Sequence, residues 1–207
     1  MVNASIQNTL YDKLPNLVLG FHGCRKSTYE RVLHEHEHLR KSENSYDWLG
    51  NGIYFWENSY EQALEWAKNK YKDDFAVVGA VLDLGHCLNL TDYKSTQILK
   101  LGYEFIERLY QRAGRTLPEN LHGRSDTDLL LRNLDCLVIQ QIHKLAETNP
   151  MEWSPFDSVR GVFVEGKEAF PGSAIAEKTH IQICIVNPNC IKGYFAPIEP
   201  EKEFPIP

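Results

Sequence analysis

The nine residues Leu49-Gly50-Asn51-Gly52-Ile53-Tyr54-Phe55-Trp56-Glu57 are the most informative stretch of the sequence. Two glycines one residue apart predict a sharp turn into a β-strand. Because side chains alternate along a strand, Tyr54 and Trp56 are predicted on one face, and Ile53 and Phe55 on the other. The second pair suits a core, whereas aromatic rings with a polar group suit stacking on a flat cationic ring. An ordinary aromatic-rich core strand would have the same composition.

A second motif, Gly20-Phe21-His22-Gly23-Cys24, follows a short apolar run, Leu17–Phe21, that predicts a strand. A histidine at the end of a strand, followed by glycine, presents its imidazole beside an uncovered stretch of backbone. Gly23 would let a flat ligand approach the main-chain N–H and C=O groups. A core histidine that precedes a tight turn is the alternative interpretation.

A third motif, His180-Ile181-Gln182-Ile183-Cys184-Ile185, lies near the C-terminal end of the chain. Alternation predicts His180, Gln182 and Cys184 on one face of a strand and the three isoleucines on the other. Polar residues in such an apolar strand indicate either a cleft or a plain solvent-facing side.

The order of predicted elements indicates one α+β domain over residues 1–207, with a largely antiparallel sheet. Strands are predicted near both ends of the chain, and helices lie between them. Ser27, with Glu30 three residues later, resembles a capping box at the start of the first helix. The predicted strands are 17–21, 52–56, 75–84, 158–165, 179–186 and 191–195, and the predicted helices are 27–39, 60–71, 95–113 and 126–146.

Composition is that of an ordinary globular protein, with 43% hydrophobic and 24% charged residues. The formal net charge of −6 disfavours non-specific binding to nucleic acid without excluding it. Five cysteines, an odd number without a CxxC pair, indicate reduced thiols. No secretory signal and no membrane-spanning run is visible, so we expect a cytoplasmic protein. The stretch His34-Glu35-His36-Glu37-His38 could suggest a metal site, but only His34 and His38 would share a helix face, so no metal is expected.

The three motifs together resemble the poly(ADP-ribose)-polymerase-like group of ADP-ribosyltransferases. Gly52-Ile53-Tyr54-Phe55, followed by an acidic residue and a helix, is similar to the tyrosine strand of that group, and His22-Gly23 to its first motif. The apolar strand 77–84 and the strand His180–Ile185 match the order of the later motifs. The resemblance covers about residues 18–90 and 159–195, and extends to small bacterial domains of the superfamily, some of which act as toxins. It implies two small packed, mostly antiparallel sheets around an NAD cleft, with a helical insertion at about 95–150.

The resemblance also implies roles for individual residues. His22 would hydrogen-bond the adenosine ribose of NAD, and the Gly23 backbone would hold the nicotinamide carboxamide. Tyr54 would stack on the nicotinamide ring. Gln62 occupies the place where polymerase-like members often have a serine near the carboxamide. Gly52 and His180 complete the expected NAD-binding set.

The family carries a glutamate on its final strand, and Gln182 occupies that position here. A neutral amide accepts a ribose hydrogen bond but cannot neutralise developing positive charge. Loss of that charge is expected to lower the reaction rate about 10²–10³-fold at a preorganised site. Another carboxylate could substitute, and Glu57, Glu165, Glu168 and Glu177 are near the motif strands in sequence. Glu57 is favoured because it ends the tyrosine strand, so the expected catalytic set is His22, Tyr54, Gln182 and Glu57.

The expected function is cleavage of the nicotinamide–ribose bond of NAD, with transfer of ADP-ribose to a protein or nucleic-acid acceptor. A toxin or defence role, with an antitoxin or regulatory protein as partner, is consistent with the bacterial resemblance. The alternatives are an NAD glycohydrolase, in which water is the acceptor, and a catalytically weak domain that binds NAD or ADP-ribose. Gln182 is the residue that keeps these alternatives open.

Overall fold

The computed structural model describes residues 17–123, 129–149, 151 and 153–205. Three sequence predictions fall outside these ranges: the absence of a secretory signal at the N-terminus, the helix start at Asp126 and the insertion end at Pro150. The strands are β1 Val18–Arg25, β2 Ile53–Glu57, β3 Phe75–Leu82, β4 Cys87–Asn89, β5 Asn120–Leu121, β6 Leu131–Arg132, β7 Ser158–Phe163, β8 His180–Ile185 and β9 Ile191–Phe195. The helices are α1 Lys26–His34, α2 Tyr60–Tyr71, α3 Tyr93–Arg112 and α4 Asn133–Thr148, with a 3₁₀ turn at Pro188–Cys190.

The strands form one seven-stranded sheet in the order β4-β7-β8-β2-β1-β3-β9, and β5 and β6 form a separate pair. All neighbours in the large sheet are antiparallel except β4 and β7. The α+β class is therefore confirmed. The expected pair of small packed sheets differs from this arrangement, because β1 bridges the two halves of one sheet.

The bridge between the two halves is short. β1 pairs with β3 at eight positions but with β2 only at Gly20↔Glu57 and Phe21↔Trp56. The ladder between β1 and β2 thus ends before His22, and a gap opens at that point in the sheet.

The two faces of β2 and β8 contribute to different cores, as alternation predicts. Ile53 and Phe55 join the cluster beneath α1, together with Ile183 and Ile185. Each such buried aliphatic or aromatic side chain contributes about 1.5–3 kcal/mol. On the other face, the cluster around Cys184 includes Ile98 and Ile106 of α3 and Val138, Ile139 and Ile142 of α4. The helical segment therefore packs on the sheet as part of the domain's own core.

Several element ends differ from the sequence predictions. The first helix ends at His34 rather than Leu39, so His38 is outside it, and its N-cap is Arg25 without a side-chain hydrogen bond. The Ser27 capping box is therefore not formed. The last helix begins at Asn133, because Leu131 and Arg132 pair with β5 instead. The apolar run that begins at Leu129 suggested a helix, but the paired backbone satisfies its hydrogen bonds as a strand.

Within the described ranges, no helix is long and apolar enough to cross a membrane.

Candidate functional site

A cavity of about 470 Å³ lies where the ladder between β1 and β2 ends. It falls within the size range of ligand-binding pockets. Five residues expected at the site line this cavity: His22, Gly23, Gly52, Tyr54 and Gln182. They come from β1, β2, β8 and the turn before β2, so the sheet brings together segments that are far apart in sequence.

His22 spans the gap between the two strands. Its Nδ1 lies 2.7 Å from the carbonyl oxygen of Tyr54. A carbonyl oxygen only accepts, so Nδ1 carries the proton and Nε2 of the neutral ring is an acceptor. Burial lowers the pKa of His22, which favours this neutral form. The ring therefore offers an acceptor nitrogen that suits a ligand hydroxyl.

The phenol of Tyr54 is already fully engaged. Its hydroxyl donates to the carbonyl oxygen of Gly50 at 2.7 Å and accepts from the N–H of Leu49 at 2.8 Å. Burial raises its pKa well above the usual range. Gly50 adopts a positive φ of 78° in this turn, a conformation that favours glycine. Tyr54, which lines the cavity, is thus held rigidly with its hydroxyl directed to this turn.

Gly23 lines the cavity, and close packing against α2 requires a glycine at this position. A Cβ atom there would lie 2.7 Å from the carbonyl oxygen of Ala63 and 3.0 Å from both Ala67 and Trp66. Helix α2 therefore contacts β1 directly over its backbone. Gly52 likewise leaves no room for a side chain, since a Cβ would lie 2.4 Å from Cys184 Sγ. Its N–H and C=O are both paired with Ser42.

Gln182 lines the cavity and contacts His180 behind it. The Gln182 Nε2 atom lies 2.9 Å from His180 Nε2, and His180 Nδ1 lies 2.7 Å from the carbonyl oxygen of Lys178. His180 is only 7% exposed and is not among the cavity-lining residues. The structure thus places His180 against Gln182 rather than in the cavity, where the sequence interpretation expected it.

Glu57 is on the opposite face of the sheet from the cavity. Its carboxylate forms a two-pronged ion pair with Arg160, with distances of 2.5 Å from Nε and 2.8 Å from Nη2. Strand alternation places Glu57 on the same face of β2 as Ile53 and Phe55, and Tyr54 lies on the opposite face. The catalytic role expected for Glu57 is therefore not supported by its position.

Glu165, which follows β7, does line the cavity. Its Oε2 atom lies 3.8 Å from His180 Nδ1, and its side chain is 21% exposed. It was one of four glutamates considered from the sequence, and the structure selects it by position. Gln62 does not line the cavity, and the contribution of α2 comes instead from its C-terminal half.

The C-terminal half of α2 supplies an aromatic and basic wall that sequence reasoning missed. Trp66, Lys70 and Tyr71 line the cavity, and Arg40 joins them from the segment after α1. The ammonium group of Lys70 lies 4.3 Å from the centre of the Trp66 ring, a cation–π distance. The sequence alone made Lys70 part of a solvated helix end. The available signal was the helical spacing that places it one turn after Trp66.

A larger cavity of about 710 Å³ lies between α3, α4 and β7. Its lining is mainly aliphatic and aromatic, and its charged residues are of both signs: Lys100, Glu104, Arg132 and Asp135. None of the residues expected at the site lines it. Trp48 contributes to both cavities and is held by a hydrogen bond from its Nε1 to the Leu130 carbonyl oxygen.

Comparison with known proteins identifies one distant relative. The chain is 23% identical over 197 residues to an uncharacterized protein of Methanocaldococcus jannaschii, and the match covers 83% of each chain. No family model matches the sequence, and no solved structure matches it. Because that relative is itself uncharacterized, it assigns no function to the site.

Proposed function

We propose that the protein is an ADP-ribosyltransferase that binds NAD in the cavity between β1 and β2. One observation carries the proposal. His22, Tyr54 and Gln182, which are far apart in sequence, line a single cavity. They are the residues that the family resemblance pairs with ribose, nicotinamide and the reacting sugar.

The fixed ring of Tyr54 supports nicotinamide binding. A flat cationic pyridinium is attracted to an aromatic face, and a ring that is already immobilised loses little entropy on binding. The hydroxyl of Tyr54 is occupied by Gly50 and Leu49, so its role is stacking and not proton transfer. The ladder between β1 and β2 ends before Gly23, so the edge of β1 that faces the cavity is not paired with β2 there, which suits the carboxamide.

The acceptor nitrogen of His22 suits a ribose hydroxyl, and the basic wall suits the pyrophosphate. Arg40 and Lys70 both line the cavity and supply its positive charge, beside the carboxylates of Asp47 and Glu165 on the same lining. Neutral His22 avoids a third positive charge there, and it retains its acceptor because burial lowers its pKa.

In the proposed reaction the bond between ribose C1′ and the nicotinamide nitrogen breaks, and nicotinamide leaves with the electron pair. A lone pair on the acceptor then forms the new bond to C1′, and the acceptor releases its proton to solvent. Positive charge develops on the ribose during this step. Gln182 offers a carbonyl dipole to that charge, and Glu165 contributes a negative charge to the same cavity.

The substitution of glutamine for the usual glutamate favours a second candidate, a domain that binds NAD but turns it over slowly or only to water. The two candidates share the same cavity and differ in products. Transfer labels a macromolecule, whereas hydrolysis releases free ADP-ribose.

The test uses NAD labelled in its adenylate phosphate, incubated with purified protein and cell extract. We expect labelled macromolecules with wild type and loss of label with Tyr54→Ala and His22→Ala. Tyr93→Ala is the matched control, since Tyr93 is 76% exposed at the start of α3. Protease and nuclease digestion of the product would distinguish a protein acceptor from a nucleic-acid acceptor. Label that persists in both cavity variants would refute the proposal.

A further inference from the structure

The hydrogen bonds of His180 determine its tautomer. Its Nδ1 lies 2.7 Å from the carbonyl oxygen of Lys178, which only accepts, so Nδ1 carries the proton. Glu165 Oε2, 3.8 Å from the same nitrogen, favours a proton there as well. In the neutral ring Nε2 then has a lone pair and no hydrogen. Burial lowers the pKa of His180, which keeps the ring neutral.

The tautomer of His180 in turn determines the orientation of the Gln182 amide. An unprotonated Nε2 can only accept, so its partner at 2.9 Å must be the amide NH₂ of Gln182. The carbonyl oxygen is at the other end of the same planar amide. Rotation of the amide by 180° would bring that oxygen against the lone pair of His180, so the orientation is fixed.

The surroundings hold His180 in this position. It is 7% exposed, and the rings of Trp48, Trp56 and Phe163 lie 5.8–6.4 Å from its centre. Such a packed site leaves the imidazole little freedom to rotate and exchange its two nitrogens.

Building on the proposed function, we propose that His180 is a positioning residue that directs the carbonyl oxygen of Gln182 toward the reacting ribose. The site is thus matched to glutamine and does not represent a decayed glutamate site. A glutamate at 182 would place a carboxylate oxygen against the lone pair of His180, and a hydrogen bond between them would need an added proton that the burial of His180 disfavours. Gln182→Glu therefore lowers the rate of ADP-ribosyl transfer instead of raising it.

The test compares two substitutions of His180, each of which places a polar group near the position of one ring nitrogen. Asn in place of His180 keeps a donor near the Nδ1 position and loses the acceptor, whereas Gln reaches the Nε2 position with its own carbonyl oxygen. We expect His180→Asn to lower kcat about tenfold, the value of one neutral hydrogen bond. We expect His180→Gln to recover most of that loss, with little change in the KM for NAD in either variant.

A double-mutant cycle with Gln182→Ala shows whether His180 acts through Gln182. We expect His180→Asn to cost nothing further in the Gln182→Ala background. Equal losses in both backgrounds, or an unaffected His180→Asn, would overturn the inference. Thermal unfolding of each variant identifies any that fail to fold.

The Gln182→Glu variant supplies a test that does not depend on substituting His180. Activity below wild type supports the inference, and activity above wild type overturns it. Failure of the proposed function is distinct, because wild type would then transfer no label, or label transfer would persist in Tyr54→Ala and His22→Ala, whatever happens at residues 180 and 182.

Discussion

Glu57 and Arg160 form a two-pronged ion pair across the sheet, on the side opposite the candidate site. Their side chains are 11% and 15% exposed, respectively. The ion pair raises the pKa of Arg160 further above its usual range. The pair gives the acidic residue of the tyrosine strand a structural role in this protein.

Removing one partner of this pair leaves the other charge poorly compensated. We expect Glu57→Gln to lower the free energy of unfolding by about 3 kcal/mol, as for other largely buried pairs. Urea unfolding measures this loss, while NAD affinity of the folded variant should stay within about twofold. Retained stability together with lost NAD binding would return Glu57 to the site.

Substitutions of Tyr54 separate its ring from its hydroxyl. Tyr54→Phe removes the bonds to Gly50 and Leu49, so we expect a loss of about 1–3 kcal/mol in unfolding free energy with NAD affinity largely kept. Tyr54→Ala removes the ring as well, and NAD affinity should fall about tenfold or more. Calorimetric titration with NAD gives both affinities. Equal affinity losses in Phe and Ala would assign the binding role to the hydroxyl.

Glu165→Gln tests whether this carboxylate supplies negative charge to the site. We expect kcat to fall about 10²-fold with KM for NAD little changed, because the charge matters most when positive charge develops on the ribose. Glu61→Gln is the matched control, since Glu61 is exposed on α2 and does not line the cavity. A parallel loss in both variants, or none in either, would rule out this role for Glu165.

The buried His143 on α4 makes stability depend on pH. Burial lowers its pKa from 6.5 to about 4, and its Nε2 has no hydrogen-bond partner among the described residues. Between pH 4 and 6.5 the unfolded chain binds a proton that the folded chain does not, so stability rises with pH and levels off above 6.5. The full effect is about 3 kcal/mol.

His143→Leu should remove this pH dependence. The difference in unfolding free energy between variant and wild type isolates His143 from the carboxylates that titrate in the same window. We expect the variant to gain relative to wild type as pH falls from 6.5 to 4, measured by urea unfolding at several pH values. A difference that is constant with pH would show that His143 does not titrate as its burial predicts.

Strand alternation predicted much of the site from sequence. The faces of Tyr54, Trp56 and Gln182 follow from a period of two. Helix α2 and strand β9 occupy their predicted bounds. The same rule excludes Glu57 from the catalytic set, because Glu57 lies on the same strand face as Phe55. The sequence interpretation gave more weight to its place in the motif than to this alternation.

The other site residues were not predictable in the same way. Glu165 and Arg40 lie in loops, outside the strands and helices, and only the three-dimensional path of the chain brings them to the cavity. The contact between His180 and Gln182 joins side chains two residues apart on one strand face. Alternation predicts their shared face, but not that burial places one behind the other.

The most direct test of the central claim measures two products in one reaction with NAD and extract: nicotinamide released and label bound to macromolecules. We expect equal amounts of both with wild type, and neither above background with Tyr54→Ala. Release of nicotinamide without macromolecular label would identify an NAD glycohydrolase. No release from wild type, or equal release from wild type and Tyr54→Ala, would contradict the account.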